Sequence, residues 1–144
     1  MTREDIYKAI PHRPPFLFID EIESWTEKEI ICKYTFKENE FFFQGHYPGN
    51  PIVPGVILCE SGLQAGAILL SRLFRESESG RGMVPVVVKI DEIRFRQIIR
   101  PSETITLRVA FKERLANAYF LVAKIEKDGK AVTRFEFSCT GTAG

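Results

Sequence analysis

The sequence predicts an α+β domain in which a mostly antiparallel sheet surrounds one central helix, and three observations carry that expectation. Residues Val56 to Phe74 are nearly continuously apolar, with Gly62, Ala65, Gly66 and Ala67 in the middle, and a helix that is apolar all round is a core helix. The second half of the chain is a succession of runs in which apolar and polar residues alternate, the period of half-buried strands. Two of those runs, Tyr119 to Lys127 and Ala131 to Cys139, flank Asp128-Gly129, a dipeptide suited to a two-residue hairpin turn.

The elements follow in order. Thr2 with Asp5 three residues later has the form of a capping box, and Ile6, Ala9 and Ile10 share a face, so residues 3 to 9 form a short helix that Pro11 ends. Pro11-His12-Arg13-Pro14-Pro15 lacks three backbone donors and is a loop, and Phe16 to Asp20 reads as a buried strand. Nothing acidic lies near His12 in sequence, so it is expected to hydrogen-bond within its own loop. Residues 29 to 36 place Ile30, Cys32, Tyr34 and Phe36 on one side of a second strand. The small residues of the long helix should let another element approach its backbone closely, and a sheet curling round it is the economical candidate. Arg75 to Gly82 has the composition of a solvated loop, and Val84 to Ile90, Glu92 to Ile98 and Thr104 to Lys112 read as strands before the hairpin.

The 144 residues suit a single domain spanning 1–144, with 20 Lys and Arg against 19 Asp and Glu. That balance creates no field to attract nucleic acid. Cys32, Cys59 and Cys139 are far apart and in no metal-ligand spacing, so they are expected to be reduced core thiols in a cytoplasmic protein. The charged, polar stretch Met1-Thr2-Arg3-Glu4-Asp5 gives no expectation of a secretory leader, and no run reaches the ~18 consecutive apolar residues of a membrane span. A soluble protein without membrane insertion is expected. Twelve of its 17 aromatic residues are Phe, so either the core is large or part of it lines a cavity.

The chemistry concentrates between Phe41 and Gln64. Three prolines and three glycines fall within the eleven residues Gly45 to Gly55, which excludes regular structure there and makes a stiff loop that holds His46. Glu60 lies in the second turn of the long helix, with Gln64 at i+4 on the same face. A carboxylate in an apolar helix costs several kcal/mol unless it is paired or used. Burial makes it a proton donor near neutral pH, and histidine suits a general base there. Pro54-Gly55 opens the helix, where unpaired N–H groups carry partial positive charge and Gly55 has no side chain to block a ligand. A base, an acid and an anion site are what proton abstraction beside a thioester carbonyl requires. Hydrolysis through a nucleophile is disfavoured, because the segment has no Gly-x-Ser-x-Gly and neither Cys59 nor Ser61 forms an evident pair with His46.

The stretches Pro11-His12-Arg13-Pro14-Pro15-Phe16-Leu17, Phe43-Gln44-Gly45-His46-Tyr47-Pro48-Gly49, Pro51-Ile52, Pro54-Gly55-Val56, Glu60 to Gln64 and Ile90 to Arg96 resemble the FabZ-type 3-hydroxyacyl-(acyl carrier protein) dehydratases of fatty-acid synthesis. The resemblance implies the hot-dog fold, a curved antiparallel sheet wrapped round one long helix, and a homodimer with its sites at the interface, extending to a hexamer of three dimers. It implies that His46 is the catalytic histidine and Glu60 the catalytic carboxylate of the opposite subunit. Gly55 would donate to the thioester oxygen with Val56 beside it, and Gln64 would orient Glu60 or the substrate, or pack. Glu rather than Asp at position 60 favours simple dehydration. The partner implied is acyl carrier protein, for which Arg94, Arg96 and Arg100 are the expected contacts, and neither cofactor nor metal is required. Arg96 to Glu103 departs from the family's common Arg-Arg-Pro-Val-Val-Pro-Gly-Asp, and Val86-Val87-Val88-Lys89 replaces a small-residue run. A hot-dog thioester hydrolase and a non-catalytic acyl-chain binder are the alternative readings.

Overall fold

The computed structural model describes residues 1–76 and 82–143. Thr2 caps the first helix as its sequence predicts: the Asp5 carboxylate accepts from Thr2 N–H at 2.8 Å, the Thr2 hydroxyl accepts from Asp5 N–H, and α1 (Arg3–Ala9) follows. α1 buries Ile6 and packs on the long helix α2 (Gly55–Glu76). Among the described residues six strands complete the fold, β1 (Glu21–Trp25), β2 (Glu29–Thr35), β3 (Met83–Phe95), β4 (Thr104–Leu115), β5 (Ala118–Lys127) and β6 (Lys130–Ala143). All pair antiparallel in one sheet of order β1-β2-β4-β5-β6-β3.

α2 leaves β2 near one edge of the sheet and delivers the chain to β3 at the other, so it crosses the inner face and packs on β2, β3, β4 and β5. The small residues in the helix have the role expected of them. A Cβ on Gly62 would lie 3.0 Å from Cζ of Phe135, and one on Gly66 only 2.6 Å from Cζ of Phe137, so the β6 rings occupy the space that side chains would fill. Gly55–Arg75 is long and apolar enough to cross a membrane by length and composition, yet 72% of that window is buried within this chain. Its apolarity is that of a core helix.

Two of the expected strand assignments are corrected. Phe16 to Asp20 is not a strand: Phe18 N–H donates to the Gln64 side chain at 2.8 Å and Asp20 N–H to Lys33 O, and Leu17, Phe18 and Ile19 are buried in succession. The first strand is instead Glu21–Trp25, an edge strand that buries only Ile22 and therefore has little apolar pattern to betray it. Val84 to Ile90 and Glu92 to Ile98 are not two strands, because β3 runs through both to Phe95, with a register shift between Asp91 and Arg94 where Glu92 has φ 56°. Of the loop expected from Arg75 to Gly82, residues 77–81 lie outside the described residues, while Arg75 and Glu76 finish α2. At the predicted hairpin both Asp128 and Gly129 have positive φ, 50° and 76°, as a type I′ turn requires.

The phenylalanines form a core cluster. Edge-to-face contacts link Phe18 to Tyr34, Tyr34 to Phe36, Phe36 to Phe42 and Phe42 to Phe43, with centroids 4.7–6.2 Å apart. They tie β2, the Phe16–Ile19 segment and the short 3-10 turn Phe41–Gln44 into one body.

Arg100-Pro101-Ser102-Glu103 turns tightly, with Glu103 N–H donating to Arg100 O and Ser102 at φ 70°. Proline then φ > 0 is the pattern of a type II turn, which glycine suits better than serine. Ser102→Gly is therefore expected to stabilise the fold by about 1 kcal/mol, read as a higher urea midpoint at unchanged m-value; a lower midpoint would contradict the turn.

Candidate active site

His46 follows the Phe41–Gln44 turn, whose Phe42 O accepts from His46 N–H at 3.1 Å. The loop then folds back so that Ile52 N–H donates to His46 O at 2.9 Å, while the Ile52 carbonyl lies 2.9 Å from His46 Nδ1. A carbonyl only accepts, so Nδ1 carries the proton and the Nε2 of the neutral ring keeps its lone pair. The ring stacks on Tyr47 at 4.2 Å. Val53 N–H donates to Ile99 O at 2.8 Å and Arg100 Nη1 to Asn50 Oδ1 at 2.8 Å, bracing the far side of the loop.

The loop ends at Pro54, whose carbonyl accepts from Ile57 and Leu58 N–H as α2 begins. Among the described residues neither Gly55 nor Val56 N–H has an acceptor. The Phe95 ring lies so close to Gly55 that a Cβ there would sit 2.8 Å from Cζ, so a side chain would displace the ring. Val56 is 75% exposed, uncommon for a valine in a helix otherwise well buried.

One turn further, Glu60 is half-buried, and Gln64, only 1% exposed, donates from Nε2 to Glu60 Oε2 at 2.9 Å. The same nitrogen donates to Phe16 O at 3.1 Å, and Gln64 Oε1 accepts from Phe18 N–H at 2.8 Å. That backbone donor fixes the orientation of the amide, because only Oε1 can face it. Every hydrogen-bonding site of the amide nitrogen is thus used, and Glu60 is held by one oxygen. No donor among the described residues reaches Oε1.

Within one chain no hydrogen bond joins His46 to Glu60 among the described residues. Gln64 and Glu60 are brought together, and Gly55 and Val56 share the helix start with the His46 loop. Arg94 and Arg96 are exposed at the end of β3 without a carboxylate partner among the described residues, whereas Arg100 is engaged by Asn50. Ser61 Oγ–H is consumed by Ile57 O, and burial, then the Glu60 charge, push the Cys59 thiol up to about 11. Neither is a nucleophile at neutral pH.

Sequence reasoning missed His12. It does not bond within its loop: Nε2 lies 3.7 Å from Glu60 Oε2, and Nδ1 is buried without a partner among the described residues. Only the fold reveals this, because α1 and the Phe16–Ile19 segment carry His12 onto a helix distant in sequence.

A FabA-like domain matches residues 10–136. The chain is 38% identical over 125 residues to the 3-hydroxyacyl-[acyl-carrier-protein] dehydratase FabZ of Oenococcus oeni, an alignment covering 84% of this chain and 87% of that one. Among solved structures, a chain of the dehydratase heterocomplex ApeI:P from Xenorhabdus doucetiae superposes with a TM-score of 0.75 at 13% identity, covering 95% of this chain and 90% of the other. A hypothetical thioesterase with coenzyme A from Streptococcus pneumoniae superposes with a TM-score of 0.65 at 14% identity, covering 99% and 94%. At those identities the two structures report the fold, a hot-dog, and nothing narrower.

The amide network predicts the behaviour of Gln64→Leu. It leaves the buried Phe18 N–H without an acceptor, which costs about 1–3 kcal/mol, measurable in urea unfolding. A loss below a few tenths would mean that the amide is mere packing.

Proposed function

The chain belongs to the FabA-like family, among the 3-hydroxyacyl-[acyl-carrier-protein] dehydratases, and on that premise we propose that it removes water from a 3-hydroxyacyl thioester on acyl carrier protein, leaving the trans-2-enoyl thioester for fatty-acid synthesis. The observation that carries the mechanism is the His46 Nδ1 contact to Ile52 O, which frees Nε2 as a base. His46 Nε2 takes the C2 proton, the electrons of that bond form the C2–C3 double bond, and the C3–O bond breaks. Glu60, entering as the neutral acid, gives its proton to the departing hydroxyl, which leaves as water. Gly55 N–H, with Val56 beside it, faces the thioester oxygen as negative charge develops there. Gln64 orients Glu60. Solvent returns the proton from His46 to Glu60, and no oxidant, metal or cofactor enters the balance.

Each site uses His46 of one subunit and Glu60 of the other in a homodimer, which three-fold association extends to a hexamer. Support comes from β3. It is an edge strand with Val86, Val88, Ile90 and Ile93 exposed, an apolar edge that a second copy would cover. The three buried, free cysteines suit a reducing cytoplasm.

Incubation with a 3-hydroxyacyl thioester, following enoyl absorbance and free thiol together, separates dehydration from hydrolysis. Enoyl product without thiol is expected; thiol release alone would favour the hydrolase, and neither would favour an acyl-chain binder. His46→Ala and Glu60→Gln should each lower turnover by at least ~100-fold, and near-normal turnover in either would remove that residue from the mechanism.

Arg94, Arg96 and Arg100 form the docking surface for the acidic carrier protein, with Arg100 also bracing the His46 loop through Asn50. Arg94→Glu with Arg96→Glu should weaken activity on the carrier-bound substrate and flatten its salt dependence, while sparing a small soluble thioester. Equal loss on both substrates would overturn the docking assignment.

A further inference from the structure

His12 is a polar side chain for which the mechanism has no use, yet the fold places it firmly. Arg13 clamps the loop that holds it, donating from Nη1 to Ile10 O at 2.9 Å and to His12 O at 2.7 Å and from Nη2 to Tyr7 O at 3.1 Å, with the guanidinium over the Tyr7 ring. On the other side Gln64 holds Phe16 and Phe18. Between these two anchors the imidazole is half-buried, and Nε2 points at Glu60 Oε2, 3.7 Å away.

The protonation state follows from the surroundings. Burial pulls the His12 imidazolium below its usual range, the Glu60 charge opposes this, and Arg13 adds to it. Nδ1 is buried with no partner among the described residues, and an unpaired N–H there would cost more than an unpaired lone pair, since acceptors go unsatisfied more often than donors. The neutral ring with its hydrogen on Nε2 is therefore favoured. That hydrogen faces the same carboxyl oxygen that accepts from Gln64 Nε2 at 2.9 Å.

We propose that His12 is a positioning residue for Glu60: its Nε2–H and the Gln64 amide converge on Oε2, reserving that oxygen as an acceptor and leaving Oε1 to hold the proton that Glu60 delivers. Two donors on one oxygen leave the acid no comfortable way to place its proton on that side, so the carboxyl cannot turn its proton inward. The 3.7 Å separation is longer than a hydrogen bond, and such contacts commonly tighten when substrate fills a site. A positively charged group in place of neutral His12 would favour the carboxylate instead and work against the acid. The inference rests on the dehydratase reading and specifies how its acid is aimed.

Steady-state kinetics of His12→Leu, His12→Ala and His12→Gln, with thermal unfolding of each, test this. The Gln side chain keeps a donor near the position of Nε2, whereas Leu and Ala remove it. Leu and Ala should lower kcat by about tenfold or more with KM within about twofold, and Gln should restore most of kcat. Wild-type kcat in a folded Leu or Ala variant would overturn the proposal, and so would a folded Gln variant as impaired as those two, since bulk alone would then explain the site. Should Leu unfold, the Ala and Gln pair decides. If Glu60→Gln is inactive while the His12 variants turn over normally, only the role of His12 fails; if Glu60→Gln is active, the dehydratase mechanism itself fails.

Discussion

The buried amide of Gln64 is the joint on which the site depends. Its three hydrogen bonds join α2 to the Phe16–Ile19 segment and to the Glu60 carboxyl. The Gln64 amide and Phe18 N–H would otherwise be buried polar liabilities, and Phe16 O and the Glu60 carboxyl part-buried ones. One side chain therefore satisfies the backbone of the segment that closes over the helix and fixes one oxygen of the acid. The cost of burying a polar residue is offset by the specificity with which the carboxyl is aimed, and Glu60 remains half in the core with no Lys or Arg paired to it among the described residues.

The histidine is placed by different means. The Phe41–Gln44 turn sits on the aromatic cluster, and the loop beyond it is stiffened by three prolines and closed by Ile52. Ile52 meets His46 through both backbone and ring: its N–H closes the loop onto His46 O, and its carbonyl selects the tautomer. The heavy allotment of phenylalanine thus serves largely as foundation. Glycine has a related purpose in α2, where Gly62 and Gly66 admit the rings of Phe135 and Phe137 and draw β6 close to the helix.

Features that depend on local chemistry were legible in the sequence. The capping box at Thr2, the apolar helix and the Asp128-Gly129 turn each carry their own signal; their order yields an antiparallel sheet around one helix, and the family resemblance narrows that to the hot-dog arrangement. What failed was set by tertiary structure. Phe16 to Asp20 has the composition of a strand, but a helix side chain takes a donor that a ladder would use. β1 buries one residue, β3 passes through a left-handed Glu92 without ending, and the hairpin joining β4 to β5 turns at Ala116-Asn117 with Ala116 at φ 55° and no glycine to announce it. At the site, the Pro- and Gly-rich loop and the carboxylate in an apolar helix stand out from the sequence. The His12 contact does not, because no local pattern encodes which loop lands on Glu60.

The proposal that two copies of this chain share each site is supported by the lack of a hydrogen bond between His46 and Glu60 among the described residues and by the exposed apolar side chains of the edge strand β3. Mixing His46→Ala protein with Glu60→Gln protein under conditions of subunit exchange tests it most directly. Random pairing makes about half the dimers mixed, each with one intact site of two, so activity should rise from near zero to about a quarter of wild type. If exchange is demonstrated independently and mixing restores nothing, the two groups come from one chain and the shared site is wrong.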